Sequence, residues 1–247
     1  MAKFCTKCGR PLKEGEVSEC ANTQEKVEVS KPTTNSVDIK ESFMDCLNVF
    51  KNILTKPFEA MKEFVTENKY ISGIIMIIVA ALSTGIYKLA TLKSASNQVE
   101  SSLGGWGDLL NSFTGGSAKP DYFKEFLTET VTNLAQYAVL VLLGYLIISK
   151  LMNGKATWKH MVNAVGISLS LVICANLINS ILVFIDGNFI IHLIGYVSSF
   201  ASVFSVLLLY GAIQEISEVD KNKLFVRIAA MFVCASVVVD LVQKIFS

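Results

Sequence analysis

Charged residues are scarce in this chain, and the scarcity narrows the class of protein. Asp, Glu, Lys and Arg make up 17% of the 247 residues, against about 25% in an ordinary soluble domain. Apolar residues reach 52%, which excludes an intrinsically disordered chain. The formal net charge is only +1, so no general basic field would attract nucleic acid, and we expect no such partner. These proportions favour an integral membrane protein.

Proline is also scarce, and its positions are informative. All of the prolines lie outside the long apolar runs, so the sequence does not predict the paired broken helices of many secondary transporters. Residues 1–69 contain no long apolar run, and we expect no secretory signal peptide there. Six cysteines in a chain of this length do not make a disulfide scaffold. The prolines are Pro11, Pro32, Pro57 and Pro120.

Three of the cysteines form a motif close to the first residue. Cys5 and Cys8 make a C-x-x-C that is followed by Gly9, and Cys20 comes later. Zinc binds such thiolates tetrahedrally, and the glycine permits a tight turn behind them. The second half of the motif is incomplete, because Ser18 stands where a cysteine would finish a C-x-C. The segment resembles, in degenerate form, the short zinc-ribbon knuckle at the N-terminus of many bacterial membrane proteins.

We predict that this knuckle, residues 1–20, binds zinc through Cys5, Cys8 and Cys20. The fourth ligand stays open, because a water molecule or cysteines from a second chain could complete the site. A vestigial knuckle is one alternative. A redox dithiol is the weaker alternative, because no βαβ pattern surrounds the motif.

The segment between the knuckle and the first long apolar run has two parts. Residues 21–40 are rich in Thr, Ser, Asn, Lys and Glu without a period, which predicts a flexible linker. Residues 41–69 carry apolar side chains at steps of three and four, which predicts amphipathic helices with a break near Pro57. Two interpretations stay open: a helix pair on the inner leaflet with lysines near anionic lipid, or packing on the protein's own bundle or a second subunit. The apolar stripe consists of Phe43, Leu47, Phe50, Leu54, Phe58, Met61 and Val65.

Five apolar segments are long enough to cross a bilayer, which takes about 20 residues. Lys and Arg are concentrated in the loops after spans two and four. This bias places the N-terminus in the cytoplasm and the C-terminus outside, and the expected location is the plasma membrane. A helix start is predicted at 119–121. The sequence thus predicts an all-α membrane domain over 70–247, with spans at about 70–90, 130–150, 161–185, 189–214 and 224–246.

Polar and small side chains inside the spans are the remaining candidate functional residues. Asn176 and Asn179 lie three residues apart on span three and share a face. Such amides usually bond between helices, and a path for a substrate is the alternative. On span four, Gly195, Ser199 and Ser202 belong to overlapping pairs of small residues, which favour close helix contact within the chain or between chains. No zincin or P-loop motif occurs, and we predict no catalytic residue.

Two local patterns connect the membrane region with a known family. Over residues 43–246 the chain resembles the Yip1 family, five-span proteins with a cytosolic N-terminus and a short outer C-terminus. The resemblance implies a membrane-organising or adaptor role without known catalysis. The Tyr-Gly-Pro type motif of the eukaryotic members is missing, which puts their Rab-linked trafficking role in question for this chain. The patterns are Phe50, Leu54, Lys56, Pro57, Phe58 and Phe64 before span one, and Thr157-Trp158-Lys159-His160-Met161 at the start of span three.

Together these features predict a non-catalytic membrane scaffold or adaptor of bacterial type. The zinc knuckle would bind an unidentified cytosolic protein or sense metal. The five-span bundle would anchor it in the lipid bilayer and form a homo-oligomer. The alternative is a small-solute or ion permeation protein that uses the polar face of span three.

Overall fold

The chain divides into two compact units, Met1–Asp38 and Ile39–Ser247. In the first unit, two short strands are described: β1 is Lys3–Phe4 and β2 is Pro11–Leu12. The strands pair antiparallel. The computed structural model of the chain describes residues 3–4, 11–12, 39–66, 69–103, 121–217 and 220–246.

The second unit begins with two short helices. α1 is Ile39–Asn52, and α2 is Pro57–Phe64 with its proline in the first turn. Proline has no amide hydrogen and clashes with a helical turn before it, so α1 ends ahead of Pro57 and a new helix starts there. The break predicted from the sequence is therefore found. Helix α1 also begins inside the segment 21–40 that we assigned to a linker, since Ile39 is already helical.

Longer helices follow, and four regions of the described chain are long and apolar enough to cross a membrane. These regions are α3, α4 with the π-helical turn that continues it, α5 together with α6, and α7. The fifth predicted span falls on α8, which is not among the four, so its crossing of a membrane stays a prediction. The bounds are α3 Tyr70–Leu103, α4 Tyr122–Tyr145, the π-helical turn Leu146–Leu151, α5 Trp158–Ser168, α6 Ser170–Leu182, α7 Asn188–Ser217 and α8 Lys221–Phe246.

Local hydrogen bonds set the ends of these helices. Asp121 caps α4, because its Oδ1 accepts a hydrogen bond from Lys124 N at 3.1 Å, as the predicted helix start at 119–121 requires. The helix of span three ends at Leu182, three residues before the approximate end predicted from the sequence. A tight turn replaces the last residues there, and Gly187 reaches a φ of 136° in it. A side chain would strain that conformation, so glycine allows the chain to reverse direction.

Span three occupies a central position in the helical unit. Helices α5 and α6 both pack against α3 and α7, while α4 packs against α3, α5 and α8. The span is interrupted at Leu169, whose amide bonds to Gly166 O and Val165 O at 3.2 and 3.3 Å. Residues on either side of this turn are buried. The interruption therefore lies inside the part of the span that its neighbours enclose.

The two N-terminal helices bury one apolar side on the bundle and expose another. Helix α1 packs on α3, and α2 packs on α5 and α7. Packing on the protein's own bundle, one of the two interpretations of the stripe, is therefore found. Four of the seven residues of the predicted stripe are exposed instead, namely Phe43, Leu47, Leu54 and Phe58. The buried side chains are Cys46, Val49, Ile53, Ala60, Met61, Phe64 and Val65.

Three lysines of this segment, Lys56, Lys62 and Lys69, form ion pairs within the chain. Together with Lys51 they are the lysines that the inner-leaflet interpretation places near anionic lipid. Two of these pairs connect elements, α2 with the end of α7 and α1 with the start of α3. The pairs are Lys56–Glu59 at 2.9 Å, Lys62–Glu215 at 3.2 Å and Lys69–Asp45 at 3.1 Å.

Candidate functional site

The predicted zinc ligands Cys5, Cys8 and Cys20 lie outside the described residues, so zinc binding stays a prediction. In sequence, the described strands β1 and β2 flank the C-x-x-C, and they pair antiparallel. Within the described ranges, no group of three or more His, Cys, Asp or Glu side chains could hold a metal ion. Three further cysteines are free thiols on separate helices: Cys46, Cys174 and Cys234.

Asn176 joins span three to span one. Its Nδ2 donates to Ser83 Oγ and Thr84 Oγ1 at 3.2 and 3.0 Å. Both hydroxyls in turn donate to the carbonyl oxygen of Ala80, one turn earlier in α3. Each hydroxyl therefore donates one hydrogen bond and accepts another. The amide thus fastens two helices without leaving either hydroxyl unsatisfied.

Two other asparagines bring span three against two further segments. Asn179 donates from Nδ2 to Ser198 Oγ of α7 at 2.8 Å. Asn163 is fully buried and donates to the carbonyl oxygen of Thr66, just ahead of α3. Asn179 Oδ1 is buried and has no hydrogen-bond partner among the described residues. The shared face predicted for Asn176 and Asn179 therefore contacts two different helices.

Spans one and three approach each other closely at two glycines that the sequence analysis passed over. A Cβ on Gly166 would lie 2.8 Å from Gly73 O and 2.9 Å from Gly73 Cα. A Cβ on Gly73 would lie 3.0 Å from the backbone N and Cα of Asn163. No side chain fits at such distances from backbone, so glycine allows the two helices to cross. The signal available in the sequence was Gly166 three positions after Asn163.

The small residues of α7 face away from the other described helices. Gly195, Ser199 and Ser202 are exposed. A Cβ on Gly195 would meet nothing within 4 Å. Ser202 Oγ donates to its own helix, to Ser198 O at 2.8 Å. The described structure does not bring these three residues against another helix of the chain, and contact between two copies stays a prediction.

A capping box holds the start of span three. Thr157 Oγ1 accepts a hydrogen bond from His160 N at 3.4 Å, and His160 Nδ1 accepts one from Thr157 N at 3.2 Å. The next residue, Trp158, packs edge-on against Tyr70 of α3 with ring centroids 5.6 Å apart. This contact gives a physical reason for the polar and aromatic pattern at 157–161. The polar part starts the helix, and the rings suit a membrane interface.

Long apolar helices that enclose their polar side chains define an integral membrane protein whose outer helix faces contact lipid. The chain belongs to the Yip1 domain family, because the family model matches residues 51–242, from α1 into α8. The resemblance predicted from the sequence is confirmed at this level. No curated protein and no solved structure matches the chain significantly.

Proposed function

We propose that this Yip1-family chain is a non-catalytic membrane scaffold or adaptor that carries a zinc knuckle in the cytoplasm. The observation that supports it best is how span three uses its polar and small residues. Asn176 and Asn179 bond to neighbouring helices, and Gly166 gives room to Gly73. Residues used in this way rigidify a bundle. A rigid bundle could serve as the membrane anchor of the zinc knuckle, which would recruit a protein or sense metal.

The proposed topology has five spans, with the N-terminus in the cytoplasm and the C-terminus outside the plasma membrane. Helix α8 is the proposed fifth span. Its 26 residues give a length of about 39 Å at 1.5 Å per residue, enough for a hydrocarbon core of about 30 Å. It packs against α4. The basic loops after spans two and four support the orientation.

The exposed apolar side of α1 and α2 supports a place in the inner leaflet for these helices. Phe43, Leu47, Leu54 and Phe58 point away from the bundle. An apolar helix face of this kind lies in the boundary between headgroups and acyl chains. The buried side of the same helices keeps them attached to the bundle.

Zinc content per chain in the purified full-length protein tests the adaptor. We expect about one zinc per chain, lost in the Cys5→Ser/Cys8→Ser variant. Cys46→Ser is the matched control, because Cys46 is buried in the helical unit, and it should keep the metal. About half a zinc per chain would indicate a site shared between two copies. No zinc in the wild type would remove the metal from the proposal.

Self-association is proposed to use the exposed small residues of α7. Gly195, Ser199 and Ser202 would let the backbones of two copies approach closely. The molar mass of the protein in detergent, measured by light scattering, tests this contact. Gly195→Leu should convert a dimer to a monomer, because the added side chain would hold the helices apart. A wild type that is already monomeric would contradict this contact.

A permeation protein is the second candidate, and one observation favours it. Asn179 Oδ1 and Ser170 Oγ are buried in span three without a hydrogen-bond partner among the described residues. Solute flux in proteoliposomes separates the two functions. The scaffold predicts no specific flux, and Asn176→Leu should change only stability. A specific flux that Asn176→Leu abolishes and Ser199→Ala retains would replace the scaffold by permeation.

A further inference from the structure

A polar cleft of about 370 Å³ lies where three parts of the chain meet. Its walls come from the loop after the π-helical turn, from the end of α7 and from the first turns of α8. Leu151 and Met152 supply its apolar lining. None of the functions discussed above uses this cleft. The polar residues that line it are Asn153, Lys155, Ser217, Asp220, Lys223 and Arg227.

The loop is folded tightly against the end of α7. Asn153 adopts a positive φ of 53°, a left-handed conformation that asparagine tolerates better than most residues. Gly154 N donates to Ile148 O at 2.9 Å. A Cβ on Gly154 would lie 3.2 Å from Ser217 O. The backbone of the loop thus forms a fixed wall of the cleft.

Among the described residues that line the cleft, positive charges outnumber negative ones. They are Lys155, Lys223 and Arg227, against the carboxylate of Asp220. Helix α8 begins at Lys221, so the partial positive charge of a helix N-terminus adds to these cations. An anion in the cleft would therefore be attracted both by side chains and by backbone dipoles.

Two donors in the cleft have no partner among the described residues. Ser217 is only 1% exposed, and its Oγ accepts and donates no hydrogen bond within the described chain. Arg227 Nη1 is likewise buried and unpaired there. A buried donor without an acceptor is costly, and the cost is larger for a charged group. A ligand with several acceptor oxygens would remove this cost at both positions.

The surroundings of the cleft indicate where such a ligand comes from. Leu151 lines the cleft and is largely exposed, as are Phe225 and Val226 in the same turn of α8 as Lys223. Exposed apolar residues at the end of a spanning helix face acyl chains near the headgroups. A phospholipid would place its phosphate in the cleft and its chains against these residues.

We propose that the cleft binds the phosphate of an anionic phospholipid headgroup, with Arg227, Lys223 and Ser217 as its donors. Arg227 supplies a planar pair of N–H groups that matches phosphate oxygens. Basic pockets between spanning helices bind lipid headgroups by this chemistry. The site would fix a lipid at the end of the bundle where the loops after spans two and four meet. It is independent of the zinc knuckle and of the scaffold role.

Native mass spectrometry of the full-length protein in neutral detergent tests the proposal. The probes are phosphatidylglycerol, phosphatidylcholine and inorganic phosphate at equal concentration. We expect phosphatidylglycerol to bind at least about tenfold more tightly than phosphatidylcholine. Both lipids carry the same phosphodiester, but Lys223 and Arg227 would repel the ammonium group of choline. Equal binding of the two lipids would overturn the proposal. Inorganic phosphate that binds as tightly as phosphatidylglycerol would also overturn it, because the lipid would then add nothing.

Single variants assign the binding to this cleft. Arg227→Gln and Lys223→Gln should each weaken phosphatidylglycerol binding about tenfold, and Ser217→Ala should weaken it less. Lys223 is exposed, so its variant should fold normally even if Arg227→Gln does not. Lys51→Gln removes the same charge from the exposed side of α1 and should leave binding unchanged. An equal loss in Lys51→Gln would show only a diffuse charge effect and would contradict a site.

Discussion

Spans three and four are both long apolar helices, yet they hold opposite positions in the bundle. In span three, 72% of the most apolar stretch is buried inside the protein, against 22% in α7. Span three carries asparagines that bond to other helices, while the small residues of α7 face outward. The difference teaches that apolar composition identifies a membrane-crossing helix but not its neighbours. Asparagine side chains mark the enclosed helix here, because its neighbours on both sides offer them hydrogen-bond acceptors.

The largest expected effect compares one isoleucine from each span. Ile167 in α5 is fully buried, whereas Ile191 in α7 is 67% exposed. Ile167→Ala should lower the free energy of unfolding by about 2–5 kcal/mol, since it leaves a cavity in the core. Ile191→Ala should cost far less, because lipid can fill the space. Thermal unfolding of both variants in detergent, followed by loss of the monodisperse peak, measures the difference. Equal losses of stability in the two variants would contradict the difference in burial between span three and α7.

The next effect compares a glycine from each span. Gly166→Ala should destabilise the protein by about 1–3 kcal/mol, because the new methyl group would meet the backbone of Gly73. Gly195→Ala should be neutral or stabilise the fold by about 0.5–1 kcal/mol, because alanine is the better helix former, meets nothing within the same chain and is still a small residue for the proposed contact between copies. The same unfolding assay applies. A stabilising Gly166→Ala would mean that the two helices do not cross at this point.

The third prediction concerns the reactivity of a buried thiol and extends the contrast between buried and exposed positions to α1. Cys46 is buried, and its Sγ donates to Ser72 O at 3.4 Å. Burial, with a smaller effect of the Asp45 charge, raises the pKa of this thiol from 9.0 to about 11. Alkylation of Cys46 at pH 8 should therefore be about a hundredfold slower than that of an ordinary thiol. Iodoacetamide kinetics with the other cysteines changed to serine measure this rate, and an ordinary rate would refute the burial.

The same pKa shift gives a pH dependence of stability. The pKa of Cys46 is higher in the folded than in the unfolded protein, so folding favours the protonated thiol. This contribution is complete below about pH 9 and is lost as the pH rises toward 11. Denaturation of the wild type and of Cys46→Ser between these limits checks the sign. Over this pH range, the free energy of unfolding should fall more in the wild type than in Cys46→Ser.

Much of the fold follows from short-range chemistry in the sequence. The break at Pro57 depends on a missing amide hydrogen, and the start of α4 depends on the carboxylate of Asp121. Apolar length predicts four of the membrane helices. These features need only a few neighbouring residues to form, so a single sequence carries them.

Long-range packing was harder to predict. In α1 and the turn after it, the apolar stripe was assigned to Leu47 and Leu54, but the bundle instead buries Val49 and Ile53. Both sets follow helical spacing, and only the shape of the neighbouring helices decides between them. The polar cleft was missed for the same reason. Ser217 and Arg227 are ten positions apart and carry no motif, and their meeting with the loop at Gly154 depends on tertiary structure.

The hydrogen bonds of span three also bear on how the protein enters the membrane during synthesis. Ser83 and Thr84, the partners of Asn176, leave the ribosome before span three does, as does Thr66, the partner of Asn163. Of these three asparagines, only Asn179 bonds to a residue that is synthesised later, Ser198, which follows the short turn at Gly187. An amide without a partner is costly in lipid. Span three can therefore partition beside an earlier helix that already offers acceptors, and span four completes the set as the second arm of a hairpin.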